Sequence, residues 1–196
     1  MREAISCCAY VGLRDRTSCR IAKELLCGAS HPPLRLEKDL AMNTSPCAHS
    51  RKEYLLRRYR LKDGKPYAVV AVHGRVKKGY LRSFTFWMET LLGQGISLLL
   101  LPMYPKEDEL LCRYLAARWG CEVAIGLDAE DTVGLMEGSC VVCGMRLHAL
   151  VFAHCAHVPF VGFGGEEKIR SFCEEWGGVY FTDLYGKGRT GEIFSF

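Results

Sequence analysis

Arg146 and His148 stand two residues apart in the stretch CGMRLHALVFAHCAHVPFVG that runs from Cys143 to Gly162. An apolar run, Ser139–Cys143, precedes them and reads as a strand, while Leu147, Leu150, Val151 and Phe152 follow at roughly helical spacing. Pro159 cannot continue that helix, and Val158–Phe163 reads as another buried strand. At such a strand-to-helix junction the helix-terminal N–H groups and the helix dipole favour an anion. Ligand sites of open parallel α/β sheets also lie at these carboxyl ends of strands. A guanidinium fork matches a carboxylate or phosphate, and an imidazole moves a proton near neutral pH. Two plainer roles stay open: Arg146 bracing the helix start against a carboxylate, and His148 making a local hydrogen bond.

Other reactive residue types carry less. Cys140-Val-Val-Cys143 has redox or zinc spacing, but no second pair follows at finger spacing, and on a strand the two thiols point to opposite faces. Most of the eleven cysteines lie within apolar patterns and read as small hydrophobes of a reduced compartment. His154 and His157 are three apart and would need further ligands to hold a metal. Asp15 or Ser18 suits the cap of a following helix.

The elements that must position these residues alternate regularly after the turn Asp63-Gly64-Lys65-Pro66. Strands are expected at Tyr67–His73, Ile96–Leu101, Glu122–Ile125, Ser139–Cys143, Val158–Phe163 and, as an edge, Val179–Phe181. Helices are expected at Leu81–Leu92, Lys106–Trp119, Ala129–Met136, Leu147–His157 and Glu166–Trp176. Short apolar strands alternating with amphipathic helices specify an α/β fold with a doubly wound parallel sheet. Ahead of them come a short apolar strand at Ala4–Cys8, a helix at Cys19–Cys27 ended by Gly28, and a brief strand at Leu34–Leu36. A basic helix over Ala48–Tyr59 would turn Tyr54, Leu55 and Tyr59 inward.

Composition narrows the classes. With 49% hydrophobic and 24% charged residues the chain reads as an ordinary soluble globular protein. Its net charge of +4 is concentrated between Arg51 and Lys65, with a smaller cluster at Arg75–Arg82. That is too local for the broad basic stripe of a nucleic-acid binder. No apolar run approaches the ~20 residues that span a bilayer, and the first ten residues lack a signal-peptide core. A cytoplasmic location is expected.

Arg146-Leu147-His148-Ala149-Leu150, continuing into Val158-Pro159-Phe160-Val161-Gly162, resembles the RLH signature of the polysaccharide pyruvyl transferase family. Further elements follow in the family's order. They are Leu13-Arg14-Asp15 with Ser18, Val72-His73-Gly74-Arg75 at a strand end, Pro102-Met103 with Asp108, and Lys168-Ile169 opening a helix. Gly165-Glu166 stands where members tend to have Tyr-Asp. The resemblance implies Rossmann-like domains in a GT-B-like pair, with this chain supplying the carboxyl-terminal half. On that basis 1–47 is a remnant of an amino-terminal Rossmann-like domain, 48–66 a basic helical linker, and 67–196 the pyruvyl-transferase domain.

The implied activity is transfer of pyruvate from phosphoenolpyruvate to a polysaccharide or lipid-linked glycan as a ketal. The resemblance makes Arg75, Arg146 and Lys168 binding residues for the donor's anionic groups. It makes His148 the acid that protonates the enol methylene. It demands no metal and no cofactor beyond the donor, and it leaves the base for the acceptor hydroxyls to the other half of the cleft, which a partner chain could complete. The basic helix leaves room for peripheral contact with a membrane bearing the acceptor. Half of a GT-B nucleotide-sugar glycosyltransferase, and a non-catalytic partner-binding module, are the alternatives.

Overall fold

A computed structural model describes residues 2–61 and 64–181. The chain divides into two compact units, Met1–Met42 and Asn43–Phe196.

The smaller unit is a βαβ element. Helix α1 (Arg2–Ser6) precedes strand β1 (Val11–Leu13), helix α2 (Arg16–Leu26) and strand β2 (Leu34–Leu36). The two strands pair in parallel, with Val11 opposite Leu34 and Leu13 opposite Leu36. Asp15 caps α2: its Oδ1 accepts from the Ser18 N–H at 2.6 Å and its Oδ2 from the Ser18 hydroxyl at 2.8 Å. The strand expected at Ala4–Cys8 is instead a helical turn followed by bends, and the pairing segment begins at Val11. So short an apolar run does not distinguish helix from strand by periodicity, and Glu3 in the first turn suits a helix start.

The larger unit opens with α3 (His49–Arg58). It continues through β3 (Tyr67–Ala71), α4 (Lys78–Gly93), β4 (Ser97–Leu100), α5 (Pro105–Trp119), β5 (Glu122–Val123) and α6 (Ala129–Glu137). It ends with β6 (Val141–Gly144), α7 (Leu147–Cys155), β7 (Phe160–Phe163), α8 (Glu167–Trp176) and β8 (Val179–Phe181). The strands form one sheet in the order β5-β4-β3-β6-β7-β8, and every pair is parallel. This is the Rossmann order, in which the chain builds outward from β3 in one direction and then from β6 in the other. All residues of β3, β6 and β7 are buried, as a sheet covered by helices on both faces requires.

One face packs Phe84, Met88 and Leu91 of α4 and Cys112 and Leu115 of α5 against Ala68, Val70, Leu98, Leu100, Val141 and Cys143. At its β7–β8 end Phe163 meets Phe84 edge-on at 5.0 Å and stacks on Phe181 at 5.4 Å. On the other face α7 packs on β6 and β7, α6 on α7, and α3 on α6.

The segment expected to be a linker therefore belongs to the larger unit. Leu55 and Tyr59 are buried, while Tyr54 stays half exposed beneath the Arg51 guanidinium. Arg51 binds the buried Asp131 carboxylate through Nε at 3.0 Å and Nη2 at 2.6 Å, and Lys52 pairs with Glu137 at 2.8 Å. Of the turn expected before β3, Asp63 lies outside the described residues, and Gly64 has a φ of +79°. Among the described residues no helix is long and apolar enough to cross a membrane.

Candidate functional site

The reversal of strand order falls between β3 and β6, so the loops leaving their carboxyl ends diverge and open a crevice between them. The β3 loop carries His73, Gly74 and Arg75, and the β6 loop carries Met145 and Arg146. The first turn of α5, beside β3, brings Glu107 and Asp108, and the β7–α8 loop brings Gly164, Gly165 and Glu166.

Asp108 joins three of these segments. Its carboxylate has no solvent exposure. It accepts from the Gly74 N–H at 2.9 Å, the Tyr104 N–H at 2.9 Å, and Arg146 Nη2 and Nε at 2.5 and 3.1 Å. Gly74 is required by the same closeness, since a Cβ there would lie 1.7 Å from the Glu107 carbonyl oxygen. Arg146 Nη2 also donates to Glu107 at 3.0 Å, and Arg75 reaches the other Glu107 oxygen at 2.9 Å. Burial acts to lower the proton affinity of the Arg146 guanidinium, but the hydrogen bonds to Asp108 and Glu107 outweigh it and hold its pKa above the ordinary value.

A cavity of about 260 Å³ opens beside this brace. Its apolar wall is Val76, Met145, Phe163 and Ile169, and its polar groups include His73, Arg75, Lys77, Tyr80 and Glu166. His73 Nδ1 accepts from the Arg75 N–H at 3.0 Å, and its Nε2 lies 3.8 Å from Glu166. Lys168 holds the other Glu166 oxygen at 2.7 Å. Tyr180 donates to the Gly164 carbonyl at 2.6 Å and fixes the glycine loop. Partial burial raises the pKa of that phenol.

The structure thus brings Arg75 and Arg146 together through Glu107, and ties Lys168 to the cavity through Glu166. Arg146 takes the bracing role, spanning two carboxylates. His148 is placed differently: it is exposed on the first turn of α7, its ring 6.4 Å from that of Phe152, and it does not line the cavity. His154 packs edge-on against Trp176 at 4.6 Å, and His157, two residues past the end of α7, lies in the left-handed region. All eleven cysteines are free, with Cys143 fully buried.

Sequence reasoning meets His73, Asp108 and Glu166 only as positions within motifs and misses Glu107 as a site residue. An acidic pair in a first helical turn reads as an ordinary complement to the dipole. His73 had one signal, its place two residues before Arg75 at a strand end. Ligand atoms of His73, Glu107 and Asp108 lie within 4.8 Å of one another, the spacing of a metal site. The two carboxylates are nevertheless committed to guanidinium and backbone donors, which already supply the positive charge.

Comparison with known proteins follows the same lines. The family model for polysaccharide pyruvyl transferase matches residues 1–167. No curated protein matches the chain. Among solved structures, a UDP-GlcNAc 2-epimerase from Methanocaldococcus jannaschii superposes with a TM-score of 0.58 at 10% identity, over 89% of this chain and 51% of that one. A family 9 glycosyl transferase from Veillonella parvula gives 0.57 at 13%, over 88% and 51%. HepE of Anabaena, in complex with UDP-glucose, gives 0.55 at 14%, over 92% and 51%. Such likeness shows the fold, the Rossmann-like α/β architecture of GT-B glycosyltransferases. The chain spans about half the length of these structures.

Proposed function

The chain belongs to the polysaccharide pyruvyl transferase family, and from that premise we propose that it transfers pyruvate from phosphoenolpyruvate to a glycan as a ketal. The observation that carries this reading is the cationic cavity at the strand-order reversal, within the family match. Arg75 is 78% exposed, and its guanidinium pairs with Glu107 at 2.9 Å. A guanidinium so exposed can take the donor's carboxylate or phosphate through a pair of N–H groups.

The reaction needs a proton on the enol methylene, which makes C2 oxocarbenium-like. A glycan hydroxyl adds to C2 and gives up its proton. A second hydroxyl then displaces phosphate, closing the ketal. His148, exposed at the start of α7, is the proposed proton donor. The acceptor is a polysaccharide or lipid-linked saccharide met in the cytoplasm, and a partner chain is proposed to complete the cleft.

Calorimetry with phosphoenolpyruvate, followed by phosphate release with a glycan acceptor and mass analysis of the product, tests the proposal. Binding and a ketal product support it. A folded chain that ignores phosphoenolpyruvate but binds a uridine diphosphate sugar overturns it in favour of glycosyl transfer, a reading the nucleotide-sugar complexes of the structural neighbours keep in view.

A further inference from the structure

The histidine that lines the cavity is His73, and its surroundings define what it can do. Its Nδ1 accepts a hydrogen bond from the Arg75 backbone at 3.0 Å, which fixes the ring plane. In the neutral imidazole an accepting Nδ1 leaves the proton on Nε2. That Nε2 faces Glu166 at 3.8 Å, beyond hydrogen-bond reach. Lys168 draws the same carboxylate to itself at 2.7 Å. The side chain is only 21% exposed, on a wall shared with Arg75, Lys77 and Tyr80.

We propose that His73 is a ligand-binding residue of the cavity, a neutral imidazole that donates its Nε2–H to a carboxylate or phosphate oxygen of a small bound anion. Glu166 occupies the neighbouring anionic position until that ligand arrives, and Lys168 holds Glu166 back from His73. The inference deepens the donor reading above and rests on it for the identity of the anion. It separates two roles, with His73 orienting the anion and His148 left for proton transfer. It also explains the long Glu166 contact, because a carboxylate at full hydrogen-bond distance would close the donor to any ligand.

The test is calorimetry on the full chain with phosphoenolpyruvate and, separately, inorganic phosphate. Wild type is compared with His73→Phe, His73→Gln and Glu166→Gln. His73→Phe keeps a ring but loses the donor, and it weakens binding about tenfold or more, the effect of one hydrogen bond to a charged group. His73→Gln restores an N–H near the Nε2 position and recovers most of that loss. Glu166→Gln removes the competing charge and tightens binding severalfold. In the wild type, ring-nitrogen NMR shows the Nε2–H signal shifting on ligand addition while Nδ1 keeps the signature of an acceptor.

Equal binding by wild type and His73→Phe overturns the assignment, as does a Gln variant no better than the Phe one. Phosphate binding that depends on His73 without phosphoenolpyruvate binding keeps the assignment and overturns the donor reading alone. A folded wild-type chain that binds neither anion overturns both.

Discussion

The Arg146 guanidinium lies against the Asp108 carboxylate through two nitrogens, at 2.5 and 3.1 Å, although the residues are 38 positions apart and come from opposite sides of the strand-order reversal. With backbone bonds from Gly74 and Tyr104 on the same carboxylate, one buried side chain sets the mutual position of three loops. Asp108→Ala leaves a largely buried guanidinium facing an emptied site and lowers stability by about 3–5 kcal/mol, the usual cost of removing one partner of a buried pair. Asp108→Asn also destabilises, because its amide N–H₂ meets groups that are themselves donors. Urea unfolding of both variants measures the loss.

Gly74→Ala tests the close approach of the β3 loop to α5. The new Cβ cannot coexist with the Glu107 carbonyl at 1.7 Å, so the loop must move. Overpacking of this kind costs about 1–3 kcal/mol. Because His73 and Arg75 flank the glycine, anion binding falls with stability. Gly64→Ala, which meets no atom within 4 Å, leaves anion binding as it was despite the strain of its positive φ.

The Arg51–Asp131 pair makes part of the stability depend on pH. The hydrogen bond from Arg51 is the main cause holding Asp131 below its usual pKa, against the opposing effect of burial. A depressed carboxylate stabilises the fold fully above its unfolded value, ~3.9. That contribution is lost as pH falls through the lower folded value. Arg51→Gln therefore melts lower than wild type at pH 7. The gap stays constant down to about pH 5 and narrows below about pH 4. A gap that widened on acidification would contradict the assignment.

The thiols sort by burial. Cys7, Cys8 and Cys27 are exposed, whereas Cys112, Cys143 and Cys173 are buried. Burial pushes Cys112 up to about 12 and Cys173 to about 11, and it raises Cys143 as well. Since thiolate is the reactive form, alkylation of the native protein at pH 8 labels the first three within minutes and spares the last three until denaturant is added. Peptide mass spectrometry reads the result. Rapid labelling of Cys143 would mean that β6 is not the packed central strand described.

Arg75→Ala and His148→Ala should separate binding from chemistry. Losing the Arg75 guanidinium weakens phosphoenolpyruvate binding by about tenfold or more. Losing His148 leaves donor binding near wild type and lowers ketal formation by about 10²–10⁴-fold. Titration calorimetry and steady-state phosphate release measure the two effects independently.

Much of this arrangement can be read directly from residue order. The alternation from Tyr67 onward locates the strands and helices within a few residues, because a fully buried strand must be a continuous apolar run and each helix after it carries an apolar stripe. A helix cap at Asp15 or Ser18 is legible too, because both residue types suit that position, and the structure gives the cap to Asp15. Arg146 at the start of α7 is legible as well. The partner it would choose could not be read, because Asp108 becomes its neighbour only once β3 and β6 pair. His73 was hidden similarly: its backbone bond is local, but the cavity it faces is made by loops nearly a hundred residues downstream. The basic segment before β3 reads as a solvated linker because, among its described residues, just Leu55, Tyr59 and Leu61 are buried apolar side chains.

The sheet's centre is also its longest wait. β3 pairs on one side with β4, the next strand made, and on the other with β6, where Cys140 reaches Tyr67 across 73 positions. During synthesis the β3–β4–β5 half emerges first and can pack α4 and α5 on one face. The apolar edge of β3 stays unpaired until β6 leaves the ribosome. The switch-point crevice therefore cannot exist until the second half of the sheet is made. A chain interrupted between Glu137 and Val141 would display the edge of β3, a template for pairing with another chain, in place of a ligand site.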